Sequence, residues 1–508
     1  MKGNRRWNSL LCWMVLVALL ACAPMGQAAE LDLSRKITIT YYHNGGGQGR
    51  YPDDQDEILK VLNEKFNIDL QLNVIESEYV SKLNLQVASG NTPDIMQVTA
   101  AQFTEFLDQD LLLPIEDYVD RMPNFLATYP DLLEDETLRV DSHLYFLTGN
   151  RPKENVVKSY YSLWVRQDWL DRLGLAIPTT LEAFREVSVA FAKNDPDGNG
   201  QSDTFGYTGM GGATGQLNAL NPLLGSFGVG MNDFVIRDGS LVYSAATPEY
   251  KEALRWIADW FATGATDPDM MLMDTFDQVR EKVYRNQVGM MYMSWAEFVK
   301  PPYDDMLAEM TPDAKWIQIN PPTGSAGAYD GIYNVPGAKN SGRVLSAELT
   351  KDPEKLERIL AYLDYIVAGE GERLVCYGIE GEHYTMENGV VTPTDRVGEV
   401  SYAWQHQLMG RNEPVYLATK FPSCQTEIQF AANLPRIDGY SNFVGIPEGR
   451  NKADLQRYVT EETTRFLYGK QDIEAFDAYV QVLYNTYGLQ DYLDLGVQTL
   501  RKAGIDVQ

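Results

Sequence analysis

Between Ile37 and Val98 the hydrophobic period of the chain switches repeatedly between two and about 3.6 residues, and no other feature restricts the fold as much. Ile37 to Tyr42, Ile-Thr-Ile-Thr-Tyr-Tyr, predicts a strand from its β-branched and aromatic residues. A glycine loop, Asn44 to Gly49, follows it. Asp54 to Phe66 predicts a helix with Ile58, Leu59, Leu62 and Phe66 on one face. Asp69 to Ile75 predicts a second strand, Tyr79 to Ala88 a second helix, and Ile95 to Val98 a short strand. Such alternation implies an α/β fold, a mostly parallel sheet with helices on both faces.

A second run of these units starts near Tyr160. Ser159 to Val165 predicts a strand and Arg166 to Leu173 a helix. Thr180 is suited to cap the next helix, with Glu182 in its first turn. Glu249 to Thr263 is amphipathic, with Leu254, Ile257, Ala258 and Phe261 facing inward. Val288 to Met293 predicts an apolar strand ending at Ser294-Trp295, and Pro353 to Val367 another helix. The remainder, to Gln508, is rich in aromatics and mostly helical. A chain of 508 residues exceeds what one core serves, so two lobes are expected.

The N-terminus has the layout of a secretory signal. Lys2, Arg5 and Arg6 precede the uncharged run Leu10 to Ala21, which is too short to span a bilayer. Residues 1–29 are therefore read as a signal peptide. Leu19-Leu20-Ala21-Cys22 fits a lipobox with Cys22 lipidated; Gly26-Gln27-Ala28 fits release before Ala29. Both readings export the protein, and only the first tethers it to a membrane. The whole chain carries a formal charge of −28, and its first 29 residues contribute only basic side chains. That charge argues against nucleic acid as a partner. Cys376 and Cys424 are too few for a disulfide framework; pairing and two buried thiols both remain open.

Asp195-Pro196-Asp197-Gly198-Asn199-Gly200-Gln201-Ser202-Asp203 follows the loop of an EF-hand. Side-chain oxygens stand at positions one, three, five and nine, glycine at six, and the Gln201 carbonyl at seven. A hard Ca²⁺ needs six to eight oxygens on such a turned chain. Position twelve is Gly206, where an EF-hand has its bidentate Glu. A solvated turn is the competing reading. Any metal here would be structural, since no reacting group is near. Catalytic signatures are missing: Gly45, Gly47 and Gly49 do not space as a dinucleotide loop, and Ser325 lacks the first glycine of a nucleophile elbow.

Four stretches carry a resemblance. They are Ser89-Gly90-Asn91-Thr92-Pro93-Asp94-Ile95, Leu163 to Leu175 with Pro178-Thr179-Thr180, Gly289 to Trp295, and Tyr377 to Tyr384 after Gly369-Glu370-Gly371. In that order the chain resembles extracellular solute-binding proteins of the maltose-binding-protein superfamily. It looks closest to the lipoprotein-type subgroup that serves polysaccharide and oligosaccharide importers. The resemblance implies a two-lobed, type II periplasmic-binding-protein fold with a ligand cleft between the lobes. The expected lobes are 30–157 plus 301–350, and 158–300 plus 351–508. It further implies a monomer that binds a saccharide and delivers it to the permease subunits of an ABC transporter, without chemistry on the sugar. A peptide or other small solute, or an exported carbohydrate-active enzyme, are the alternatives.

Sugars need aromatic platforms and planar polar groups. Tyr42, His43 and Asn44 lie just past the first strand. By the resemblance, Trp295 stands where relatives keep a stacking tryptophan, Thr99 and Tyr333 where they place cleft contacts, and Thr204 where their calcium loop takes its last ligand. Tyr145, Trp164, Trp404 and Tyr377 are secondary candidates. Glu380, Glu382 and His383 match a turn of the family whose role is either binding or structural.

Overall fold

The structure is a computed structural model that describes residues 31–44, 55–75, 77–147, 156–211, 218–336 and 342–508. The export signal with Cys22 and the loop from Gly45 to Gly49 lie outside the described residues. In chain order the strands are β1 (Ile37–Asn44), β2 (Ile68–Ile75), β3 (Ile95–Val98), β4 (Arg139–Val140), β5 (His143–Leu144) and β6 (Tyr161–Arg166). Then come β7 (Thr208–Gly209), β8 (Phe234–Arg237), β9 (Ser240–Tyr243), β10 (Met290–Ser294) and β11 (Trp316–Ile319). Last are β12 (Ile332–Asn334), β13 (Gly342–Leu345), β14 (Tyr384–Glu387), β15 (Val390–Pro393) and β16 (Ile437–Gly439).

The first lobe is built on the sheet β13–β3–β1–β2. β1 runs parallel to β2, with Ile37 opposite Ile68, and parallel to β3; β13 is antiparallel. Period two turns Ile37, Ile39 and Tyr41 into the core. Ile58, Leu62 and Phe66 of the helix Glu57–Phe66 pack there. Asp56 caps that helix by accepting from Leu59 N at 2.8 Å, and Asn67, left-handed at φ 45°, ends it.

The second lobe holds the sheets β11–β6–β10–β7 and β12–β16–β8–β9. Its direction corrects the expectation of a mostly parallel sheet. β6 is antiparallel to both β10 and β11, while β10–β7 and β12–β16 are parallel. The reason is burial. Leu163, Trp164, Val165 and the whole of β10 are covered on both faces. A strand buried on both faces reads as a continuous apolar run, and such a run carries no sign of direction.

The lobe boundaries differ from those expected. β11 and β12 pair inside the second lobe, so the segment from 301 to 336 belongs there. β13 and the helix Pro353–Ile366 join the first core, as do Leu374, Val375, Val400 and Met409. An amphipathic helix fits either lobe by pattern alone. Here a buried cation places it. Arg358 is fully buried, and its Nη1 donates to Phe66 O at 2.7 Å, Asn67 O at 3.1 Å and Arg35 O at 3.3 Å. Leu147, Leu345 and Met409 thus pack in the first core, whereas Tyr161, Val335 and Tyr416 pack in the clusters of the second lobe. Among the described residues no helix is long and apolar enough to cross a membrane.

Arg358 therefore seals the start of β1 and the turn into β2 against that helix. Arg358→Met should cost about 3 kcal/mol or more, because it strands buried carbonyls. Urea denaturation followed by tryptophan fluorescence measures this; an unchanged midpoint would show that the guanidinium is dispensable.

Candidate functional site

The first-lobe edge of the junction is set by strand alternation. β1 extends through Asn44, so Tyr42 and Asn44 lie on one face and Tyr41 and His43 on the other. Tyr42 is half-buried and Asn44 exposed, its N–H donating to Gln97 Oε1 at 3.2 Å. His43 is buried instead. Arg343 Nε donates to the Tyr41 hydroxyl at 2.9 Å, and that hydroxyl lies 2.9 Å from His43 Nδ1. Trp404 packs beside the imidazole at 5.6 Å. Burial, then the Arg343 charge, pushes His43 down to about 4. The structure therefore separates His43 from Tyr42 and Asn44. Thr99 is exposed and caps the helix Ala100–Asp108 through a capping box with Gln102.

On the second-lobe side Trp295 opens a short turn after β10, and Ser294 caps it. The indole is only 1 % exposed. Tyr160 stacks on it at 5.8 Å and Phe421 meets it edge-on at 5.6 Å, so this conformation offers no open platform. Tyr160 is the more exposed ring. Its hydroxyl donates to Glu413, which Arg411 grips through Nε at 2.6 Å and Nη2 at 2.8 Å. Arg411 also lies 3.5 Å over the Tyr416 ring, and Tyr416 stacks on Tyr377 at 5.9 Å. Tyr377 ends the helix Gly369–Tyr377, which is rooted in the first core. This relay ties Trp295 to the far lobe. Tyr160 and Glu413 are 253 positions apart, and no local spacing in the sequence signals their contact.

The other candidates separate. Tyr145 is buried against Phe103, and Trp164 is core, its Nε1 donating to Met293 O at 3.0 Å. Tyr333 is half-buried with Lys158 Nζ 5.3 Å from its ring. His383 is buried and accepts from Ile379 N at 3.0 Å, while Glu382 pairs with Arg396 on the surface. Glu380 is exposed on the same turn, which Gly378 at φ 92° makes close under His383. Cys376 and Cys424 are free buried thiols, and burial pushes Cys376 up to about 12.

The Asp195 loop folds around its own carboxylates. Asp195, Gly198 and Gly200 are left-handed. Asp195 Oδ1 accepts from Asn199 N and Oδ2 from Gly200 N, both at 3.1 Å. The Asn199 amide donates to Asp197 Oδ2 at 2.9 Å and Asp203 Oδ1 at 3.2 Å, bridging two carboxylates. Burial first, and then Asp195 and Asp203, raise the Asp197 carboxyl. Thr204 is turned away: it is buried and its hydroxyl donates to Phe191 O at 2.8 Å. Among the described residues no three His, Cys, Asp or Glu side chains are gathered closely enough to hold a metal ion. The donor set is all oxygen once the Asn199 amide turns over, which fits a hard cation.

Residues 51–365 match the family described as bacterial extracellular solute-binding protein. Lipoprotein LipO of Bacillus subtilis (strain 168) is 22% identical over 463 residues, covering 87% of this chain and 89% of its own. Among solved structures, alginate-binding protein AlgQ2, crystallised without calcium ion, superposes with TM-score 0.71 at 18% identity, covering 93% of this chain and 99% of that one. FusA of Streptococcus pneumoniae, solved in complex with kestose, gives TM-score 0.70 at 17% identity, covering 92% and 99%. FusA has also been solved as an EF-hand mutant.

His43 stays neutral in the folded protein down to about pH 4, whereas its ordinary value is 6.5. Its contribution to stability is complete above pH 6.5 and is lost as pH falls towards 4, by about 2 kcal/mol between pH 7 and pH 5. Urea midpoints at the two pH values should therefore converge in His43→Gln relative to the parent chain. An identical pH slope in both would dismiss the imidazole as the cause.

Proposed function

Since the chain belongs to the bacterial extracellular solute-binding protein family, we propose that it captures an oligosaccharide between its lobes and hands it unaltered to an ABC importer. The carrying observation is the junction: two α/β bodies joined by crossing segments, with the aromatic series Trp295, Tyr160, Tyr416 and Tyr377 bound to both. Solute stabilises the closed state by its differential affinity, and the permease reads closure. Tyr42, Asn44 and Thr99 offer the first-lobe contacts. Trp295 becomes a platform when Tyr160 moves off its face, a step that releases the bond to Glu413. AlgQ2, an alginate-binding protein, and FusA, solved in complex with kestose, support a saccharide class. The signal in residues 1–29, and LipO as a lipoprotein, support export with Cys22 as the anchor. The protein acts as a monomer.

In the same proposal the Asp195 loop holds a structural Ca²⁺. Asp195, Asp197, Asn199 and Asp203 supply side-chain oxygens and Gln201 its carbonyl. Thr204 keeps its bond to Phe191. The bound ion would neutralise the three carboxylates of the loop and fix the end of the helix Leu181–Lys193.

Melting curves against a saccharide panel, with product analysis by mass spectrometry, test the first claim. A raised Tm with the glycan recovered intact is expected, and Tyr42→Ala should weaken binding about tenfold. Hydrolysis of the glycan, or no shift with any saccharide, overturns it. Chelation should lower the Tm in the parent and not in Asp195→Ala; ligand at a hundred times its Kd contributes about 2.7 kcal/mol. An equal response in both would remove calcium from the loop.

A further inference from the structure

A polar cavity on the third sheet is untouched by the relay around Trp295. Alternation along β12 turns Tyr333 towards Lys158 and sets Ile332 and Asn334 on the opposite face. There Asn334 helps to line a cavity of about 250 Å³, room for a single sugar ring. Its walls are hydrogen-bonding groups fixed in place. Asn334 Nδ2 donates to Asp233 Oδ1 at 2.8 Å, and its Oδ1 accepts from Ser441 N at 3.0 Å. Backbone is cut away to admit both side chains. A Cβ on Gly230 would overlap the Asp233 carboxylate, and one on Gly439 would overlap the Asn334 amide.

Four further carboxamides, Asn218, Asn221, Asn232 and Gln456, line the same space. Asn232 accepts from the Tyr243 hydroxyl at 2.7 Å, and among the described residues the other three side chains have no hydrogen-bond partner. Lys452 completes the wall, its Nζ donating to Val444 O at 3.3 Å. Burial raises the Asp233 carboxyl and lowers the Lys452 ammonium, and each charge opposes the other's shift. The lining thus holds one anion and one cation among an excess of amides.

We infer that this cavity is a subsite for one uncharged, hydroxyl-rich ring of the solute, contacted by Asn218, Asn221 and Gln456. The inference rests on the saccharide reading above and narrows it to neutral sugars. A hydroxyl both donates and accepts, and so does a carboxamide, so adjacent hydroxyls match a ring of amides. A uronate would add a second carboxylate beside Asp233, whose charge already faces the one ammonium of the wall. A zwitterion would need an unopposed partner for each of its charges, whereas Asp233 and Lys452 oppose one another across the wall.

Calorimetry on the mature protein, with neutral and uronic-acid tri- to pentasaccharides as probes, tests this. The tightest probe should be neutral, and Asn218→Ala and Gln456→Ala should each weaken it about tenfold while melting like the parent. Retained affinity in both variants overturns the subsite and leaves the saccharide reading standing. Tighter binding of uronates overturns the neutral class. No binding of any saccharide by the parent overturns both.

Discussion

Two hydrophobic cores on one chain must meet through contacts that hold without fusing them, and that constraint shapes the junction. Tyr377 belongs to a helix of the first lobe and Tyr416 to one that packs under the second. Between them lie ring stacking, a cation over a ring, and hydrogen bonds such as Lys420 Nζ to Cys376 O at 3.3 Å. Stacked aromatic pairs contribute roughly 0.5–1.5 kcal/mol each beyond their buried area. That is small beside an interdigitated aliphatic core, so the two bodies can shift while each stays folded. Lys420 is itself buried, and burial lowers it to about 8.

The Arg411–Glu413 pair gives the same junction a direction. Both side chains are about four-fifths buried, so separating them would leave a charge poorly solvated. Arg411 also donates to Gln407, whose amide donates to Val375 O at 2.8 Å inside the first lobe. Glu413 takes the Tyr160 hydroxyl from the second. A motion that opens Trp295 must therefore exchange the Tyr160 bond while the Arg411 grip persists. The ring that covers Trp295 and the residue that holds it there belong to one network.

Local chemistry was legible where one face of an element is wet. The helix Tyr79–Ala88, β3 and the Thr180 cap fall where the pattern put them. Strand direction in the second lobe and the lobe of the helix Pro353–Ile366 were hidden, because burial on two faces, or an amphipathic stripe alone, does not name a partner. His43 shows a subtler limit. Ending β1 at Tyr42 made Tyr42, His43 and Asn44 look like one loop facing one ligand. Two more residues of strand send the imidazole to the opposite side, beneath Arg343 and Trp404. The polar cavity was hidden for another reason: its amides come from four separate segments, and asparagines scattered along a sequence look like turn formers.

The Asp195 loop shows how position separates structural from functional chemistry. It follows the helix Leu181–Lys193, and Thr204 ties its exit back to Phe191 of that helix. β7 follows directly and pairs with β10, whose last residue precedes Trp295. Mutual repulsion among Asp195, Asp197 and Asp203 acts on this connection, and the bridging Asn199 amide relieves only part of it. A divalent cation would relieve more, drawing the loop inward and stiffening the edge of the sheet that leads to Trp295. Its effect on sugar binding would then pass through the rigidity of β7 and β10, with no contact between ion and ligand.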